Sequence, residues 1–493
     1  MATALDATAL AAGLGLSIEY LDQRGVSSAN LPQQIAVIAQ GSSASTYSTD
    51  PWTATSAAAA GARFGYGSPI HHIVKQLKPA NGDGVSTIPV TVYPLVDAGS
   101  GVAAAGSIAF AGTATKLSTF RLLIGGVLTE AFQVAAGSVT AATVIAAAMA
   151  AVNGTIDCPM IATNGTTVLT LTAKWAGESS NSIPIEVIGD LNGVTFTITQ
   201  PEDGAVNPDV DDALELITNR WESFVVNAMN YDDTTTLGKF FTWGEGRWVP
   251  TLMKPSLVFV GCTEADSATV TAITDARATD YVNTLIPDPG GKDMPFNVAA
   301  RAVARIATMA NNNPATGYTG LKLTGIYPGD DMDQWDYAER DAARKKGCST
   351  VEVIDNVVQL ADVVTMYHPT GETPAAYAKV VTIVKLMNAA FNYKREFMQP
   401  QWAAAPLIPD AQVTTNPNAR TPSAARGAAD GITDGLGLAA IIADPETVKA
   451  NTTVVINSQN PDRLDIRVPL FVSGNTEQKA IELYFAFYFG GQA

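Results

Sequence analysis

Short apolar runs alternate with patterns of helical period along much of the chain. Short runs of apolar residues closed by glycine or polar residues are typical of buried strands. The strands predicted in this way are at residues 35–38, 224–226 and 257–261. The helices predicted by periodicity are at residues 70–77, 298–310, 335–346 and 375–391. Strands that alternate with helices predict a layered α/β domain.

The stretch from residue 85 to residue 204 has a different pattern, with few charges and alternating Thr, Val, Ile and Phe between glycines. Its predicted strands are at residues 107–110, 120–124, 168–172 and 194–198, with one alanine-rich helix at 139–152. Such spacing favours a small β-sandwich or barrel. Because the flanking segments are of the α/β type, this β-rich domain is predicted to be an insertion into another domain.

The closing segment, residues 480–489, predicts a final strand with one strongly apolar face. By the two-residue pleat, one face carries Ile481, Leu483, Phe485, Phe487 and Phe489. Such a strand would be an aggregation hazard if it were left exposed. It is therefore predicted either to be the last strand of the chain's own sheet or to add to the sheet of a neighbour.

Length and charge narrow the class of protein. Dividing 493 residues by roughly 150 per domain suggests about three domains. The chain has 47 acidic and 30 basic residues, so its net charge of −17 argues against direct binding of nucleic acid or an anionic membrane. No apolar stretch approaches the roughly 20 residues that span a bilayer, and no positive n-region of a secretory signal is found near the start. With only 16% charged residues, the surface is expected either to be hidden in an assembly or to be covered with Ser, Thr and Gly.

The sequence contains no motif that predicts catalysis, a cofactor or a metal. The three histidines, His71, His72 and His368, lie in no recognisable triad motif, and no complete phosphate-binding glycine motif occurs. His71 and His72 are predicted to be exposed or capping residues, and His368 a turn residue. The acidic cluster at residues 330–336 lacks the spacing of a calcium loop and is predicted to begin a helix, where the dipole favours acids.

The three cysteines are too far apart for a zinc or redox motif, and a reducing cytoplasm is the expected site of synthesis. Cys262 closes a buried run and is predicted to be an inert core thiol. Cys348 follows two lysines, which would favour its thiolate, and Cys158 precedes a proline in a predicted loop.

Several short passages together resemble the contractile tail sheath proteins of Mu-like, Myoviridae-type bacteriophages. The early passages are residues 32–41, FGYGS at 64–68 and PLVD at 94–97. The inserted stretch contributes GSIAFAG at 106–112, IGG at 124–126 and LTAKWAG at 171–177. The later passages are LTGI at 323–326, ERD at 339–341 before GCST, and NPDRL at 460–464. Their order and spacing carry the resemblance more than any one motif.

The resemblance implies a structural, non-enzymatic protein that polymerises with itself as stacked rings around a tail tube. Its other implied partners are the tail tube, baseplate and tail terminator proteins, and its implied location is the virion tail after assembly in the host bacterial cytoplasm. Terminal arms would add strands to a neighbour's sheet. Contraction would then move rigid subunits between two packings. The family's subtilisin-like label describes a fold and implies no activity.

The implied organisation has six parts. They are an N-terminal arm (1–30), the first part of the sheath core (31–84), the inserted β domain (85–204), a subtilisin-like α/β domain (205–400), an inner domain facing the tube (401–475) and a C-terminal arm strand (476–493). A hypothesis for locking the extended state is a disulfide between Cys158 and Cys348 of neighbouring subunits.

Three alternatives remain open from the sequence. A hydrolase of subtilisin-like fold would need a histidine-centred constellation in space. A secreted adhesin would suit the Thr- and Gly-rich insertion but lacks a recognised signal. A phage-derived injection device would use the same kind of subunit as a phage tail.

Overall fold

The structure, a computed structural model, describes residues 29–137 and 140–487 of the protein. Within these residues the chain divides into two compact units. The larger unit consists of residues 32–387 and 475–487, and the smaller unit of residues 29–31 and 388–474.

Both helices and strands are distributed through the described residues, which confirms the predicted mixed α/β, multidomain class. The strands are β1 Ile35–Gln40, β2 Trp52–Thr53, β3 Val90–Leu95, β4 Ala105–Gly112, β5 Ser118–Ile124, β6 Val127–Leu128, β7 Phe132–Val134, β8 Met160–Asn164, β9 Val168–Ala173, β10 Ile185–Ile188, β11 Val194–Glu202, β12 Phe224–Asn227, β13 Leu257–Cys262, β14 Asn283–Pro287, β15 Thr350–Ile354, β16 Val357–Asp362, β17 Thr453–Ile456 and β18 Leu464–Arg467. The helices are α1 Ala57–Phe64, α2 Pro69–Leu77, α3 Ala141–Gly154, α4 Asp211–Glu215, α5 Thr234–Gly246, α6 Ser267–Asp275, α7 Pro295–Asn312, α8 Tyr337–Lys345, α9 Val380–Phe397, α10 Pro422–Leu438 and α11 Pro445–Asn451.

The larger unit is built on a six-stranded sheet with the order β14-β13-β12-β1-β3-β2. The strands from β14 to β3 are parallel, and β2 is antiparallel to β3. Every residue of β1 and β13 is buried, as expected for apolar strands of a parallel sheet that is covered on both faces. Helix α7 packs across β12, β13 and β14 and against α2.

A second cluster of buried apolar residues includes side chains from β13, β14, α5, α6 and α8. The N-terminus of α8 carries a capping box, in which Asp336 accepts from Glu339 N and the Glu339 side chain accepts from Asp336 N. The predicted helix start within the acidic cluster is therefore confirmed.

Two antiparallel sheets lie in the sequence between β3 and β12. One has the order β10-β5-β6 with β7 also paired to β5, and the other has the order β11-β4-β9-β8. Phenylalanine rings from both sheets meet, with the centroids of Phe120 and Phe196 4.9 Å apart and those of Phe120 and Phe132 5.9 Å apart. These contacts give the β-rich stretch an aromatic core of its own.

The smaller unit contains α10, α11, the β17–β18 hairpin and the end of α9 from residue 388. Two buried asparagines of α9 hold the first described residues of the chain. Asn392 accepts from Ala29 N (3.1 Å) and donates to Ala29 O (3.0 Å), while Asn388 accepts from Leu31 N (2.8 Å). Side-chain hydrogen bonds therefore hold residues 29 and 31 within this unit.

Candidate assembly surface

The closing segment is an exposed apolar stretch. Ile481, Leu483, Phe485 and Phe487 are 79%, 88%, 83% and 75% exposed, and residues 481–487 belong to no strand of the described structure. The predicted strand is therefore not formed within the described part of the chain, and Phe489 lies outside the described residues. The alternative that these residues are the last strand of the chain's own sheet is not what the structure shows.

Within the part of the chain that the structure describes, the β17–β18 hairpin of the smaller unit has a free edge. In the described residues β18 pairs only with β17, in an antiparallel register that places Val454 opposite Ile466 and Ile456 opposite Leu464. Asn457 N donates to Arg463 O, so that pair and every second pair along the hairpin is hydrogen-bonded. The N–H and C=O groups of Leu464 and Ile466 consequently point away from β17, toward the free edge.

A groove of about 650 Å³ that exposes both polar and apolar atoms lies beside this edge. It is lined by Leu464 and Ile466 of β18 and by Phe397, Trp402 and Leu407 of the smaller unit. The Phe397 and Trp402 rings contact each other with centroids 5.2 Å apart. A groove next to unpaired strand groups has the geometry to accept a further strand and its inward side chains.

All three cysteines are buried free thiols, so the expectation that the two lysines before Cys348 favour its thiolate is wrong. Burial raises the pKa of the Cys158 thiol to about 11 and raises the pKa of the Cys348 thiol still further, in spite of the preceding lysines. Cys348 and Cys262 belong to the same apolar cluster behind the six-stranded sheet. A disulfide between neighbouring subunits has no support in this arrangement, whereas the predicted core position of Cys262 is confirmed.

The histidines form no catalytic constellation in the described residues. The expectation that His71 and His72 are exposed or capping residues is wrong as to exposure, because both are buried in α2, and burial lowers their pKa values to about 4 and about 3. His71 Nδ1 does accept from Gly67 N (3.2 Å) at the start of α2. The His368 ring nitrogens lie 2.7 Å from Met366 O and 3.2 Å from Asp275 Oδ1, and neither has a serine partner in the described structure. No group of three or more His, Cys, Asp or Glu suited to a metal is found in residues 29–137 and 140–487.

Two buried carboxyl groups flank the loop between β14 and α7. Neither side-chain oxygen of Asp288 has a hydrogen-bond partner within the described structure. Asp293 accepts from Tyr327 N (2.7 Å) and from Asn297 Nδ2 (3.4 Å). Its other neighbour is Gly126 (φ +77°) in the β5–β6 turn, where a Cβ atom would collide with the Asp293 carboxylate. The Asp293 carboxylate, in the loop that leads into α7, is therefore in close contact with the β5–β6 turn.

Asp293→Asn should remove a pH dependence from the stability of the larger unit. Burial raises the pKa of Asp293 to about 7 from 3.8, so the folded chain holds this proton more tightly than the unfolded chain does. The stabilisation is complete below the unfolded pKa and is lost as pH rises from about 4 to 7. The free energy of chemical unfolding should be larger at pH 5 than at pH 8 in the parent. In Asp293→Asn this difference between the two pH values should be smaller by on the order of 1–3 kcal/mol. Asp330→Asn, at an exposed position, is the matched control, and an equal pH dependence in the parent and Asp293→Asn would contradict the assignment.

No helix in the described residues is long and apolar enough to cross a membrane.

The chain is similar in sequence to one curated protein and in structure to several solved ones. The sequence matches no family model. It is 27% identical over 412 residues to the tail sheath protein of a Mu-like prophage of Haemophilus influenzae, and the match covers 82% of each chain. Among solved structures, a sheath tail protein of Listeria innocua is 12% identical, with a TM-score of 0.48 over 91% of this chain and 94% of that one. A sheath tail protein of Desulfitobacterium hafniense is also 12% identical, with a TM-score of 0.44 over 90% and 93% of the two chains. The similarity to the prophage protein confirms the resemblance inferred from the sequence motifs.

Proposed function

We propose that this chain, a relative of the tail sheath protein of a Mu-like prophage, is itself the subunit of a contractile tail sheath. The observation that carries the proposal is sequence similarity along 82% of both chains, across both units of the fold. The role is structural, its location is the virion tail, and its partners are further copies of itself together with tail tube, baseplate and terminator proteins.

The exposed closing segment is the arm that links subunits. Burying a large apolar side chain is worth roughly 1.5–3 kcal/mol, so its four described apolar residues would contribute on the order of 6–12 kcal/mol before ordering costs. Because these residues alternate in the sequence, an extended arm would direct all four to one face. The arm is thus suited to a sheet that has one free edge and one apolar face.

The acceptor is the free edge of β18 in a neighbouring subunit. Leu464 and Ile466 offer outward N–H and C=O groups there, and the adjoining groove offers aromatic and aliphatic contacts for the inward side chains. Strand addition would thereby pair the edge of a hairpin that has two strands in the described residues. Backbone hydrogen bonds would supply the link, and the groove would set the register of the alternating residues.

Contraction would follow as a rigid-body rearrangement of subunits that stay linked by their arms. The energy for it would be stored during assembly, so ATP or GTP should not change its rate. A nucleotide-dependent rate of contraction would contradict this part of the proposal.

Negative-stain electron microscopy of the purified chain tests the function directly. We expect helical cylinders in the full chain and isolated particles in a chain that lacks residues 478–493. Isolated particles in the full chain at all accessible concentrations, or normal cylinders in the shortened one, would contradict the proposed function or the role of the arm, respectively.

A further inference from the structure

We propose that three basic side chains are positioning residues that clamp the root of the arm, residues 475–477, to the rest of the larger unit. They are Lys385, which binds Asn475, and Lys379 and Arg344, which bind Glu477. The inference rests on the proposed function only in so far as the clamped segment is the arm that joins subunits. The clamp itself is a property of the single chain.

The first anchor of the clamp is Asn475. Its Oδ1 accepts a 2.8 Å hydrogen bond from Lys385 Nζ, and its Nδ2 donates a 2.8 Å hydrogen bond to Ala315 O. Lys385 is 1% exposed and lies in the apolar run of α9. Although burial lowers the pKa of Lys385 to about 8, the amine remains mostly protonated at neutral pH and can donate. Burying an ammonium group is costly unless it has hydrogen-bond partners. The hydrogen bond to Asn475 therefore helps to offset the cost of burying Lys385 and favours this position of Asn475.

The second anchor is Glu477. Its Oε2 lies 2.6 Å from Lys379 Nζ and 3.7 Å from Arg344 Nη2, and its side chain is 18% exposed. Arg344 is itself oriented by Asp362, whose Oδ1 lies 2.9 Å from Arg344 Nε. Glu477 N also donates to Asn475 O (3.0 Å), which closes a short turn between the two anchors.

The clamp sets the point at which the chain becomes free. Residues 478–487 are exposed, whereas Asn475 and Glu477 are half-buried and bonded on both sides of Thr476. An arm held at its root loses less conformational freedom when its far end joins a neighbour, because part of the ordering cost is already met in the free subunit. The same contacts would transmit tension from the arm to α9 and α8 during contraction.

Spin labelling of the monomer tests the clamp without reference to assembly. Because the native cysteines are buried, Thr476→Cys can be labelled selectively, and Tyr484→Cys is the control site in the free part of the arm. We expect a nitroxide at position 476 to be immobile in the parent and to become as mobile as one at 484 when Lys385→Met and Glu477→Gln are combined. Glu477→Gln alone, at a half-buried position, should give an intermediate spectrum even if the double variant folds poorly. An immobile label at 476 in every variant would overturn the clamp.

Polymerisation of the same variants tests the positioning role. With the arm sequence intact, the Lys385→Met, Glu477→Gln chain should need at least tenfold more protein to form cylinders than the parent does. Unchanged polymerisation with a mobile label would overturn the positioning role. If a chain without the arm also polymerises, the proposed function of the arm fails, and the label mobility still decides whether the clamp exists.

Discussion

Leu483→Asp combined with Phe485→Asp should abolish polymerisation while leaving the thermal unfolding of the monomer unchanged. Both side chains are more than four-fifths exposed in the single chain, so the substitutions remove little native packing there. In a strand added to a neighbour both would face the groove beside the Phe397, Trp402 and Leu407 side chains, and burial of unpaired charges costs several kcal/mol each. Sedimentation velocity and negative-stain microscopy at matched concentrations measure the effect.

Tyr484→Asp is the matched control, because Tyr484 is 90% exposed and lies between the two substituted positions. On an extended arm it points to the opposite face, so this variant should still form cylinders. If the 483/485 variant polymerises normally, or if the 484 variant is equally defective, the arm does not bury one alternating face.

Ile466→Pro should also prevent polymerisation, from the acceptor side of the same contact. Proline removes the N–H of residue 466, which points to the free edge and not to β17, so the hairpin itself keeps its paired hydrogen bonds. An added strand would lose one backbone donor and meet the proline ring. We expect folded monomers by circular dichroism and no cylinders by microscopy.

Ile466→Ala separates the backbone effect from the side-chain effect. It keeps the N–H and removes part of the groove wall, so it should weaken polymerisation without abolishing it. Equal behaviour of the proline and alanine variants would show that the free N–H of β18 is not used.

The parallel sheet was predictable because short apolar runs in the local sequence mark its central strands. The strands β1, β12 and β13 are short apolar runs that the pattern identifies directly, and α7 has a long buried face within the predicted helix. The helix α8 was predictable for a similar reason, because its acids lie at its start and its bases at its end.

The errors share a physical cause, which is that burial depends on packing between distant segments. His71 and His72 are polar residues on a short helix, and the packing of α2 against α1, β1 and α7 makes them core residues. The lysines before Cys348 suggested a reactive thiolate, but the thiol faces the apolar cluster that contains Val260 and Leu285. The charges that neighbour Cys348 in the sequence therefore predicted the wrong environment for its thiol.

The clamp and the groove were missed for a different reason. Their parts are separated by about a hundred residues or by irregular loops, as with Lys385 and Asn475 or Trp402 and Leu464. One signal was present, since a lysine within the apolar run VVTIVKLM of α9 requires a polar partner. The identity of that partner needed the fold. The apolar arm, by contrast, was predictable from alternation alone, although its exposure was not.

Covalent trapping of the arm on β18 tests the central claim that one copy completes the sheet of the next. Chains carrying Ile466→Cys together with either Leu483→Cys or Phe485→Cys would be assembled into cylinders, oxidised and run on a non-reducing gel, with the single-cysteine variants as controls. The account predicts a ladder of covalent oligomers for at least one pair and nothing larger than a dimer for the single variants. Well-formed cylinders that yield only monomers for both pairs would contradict it.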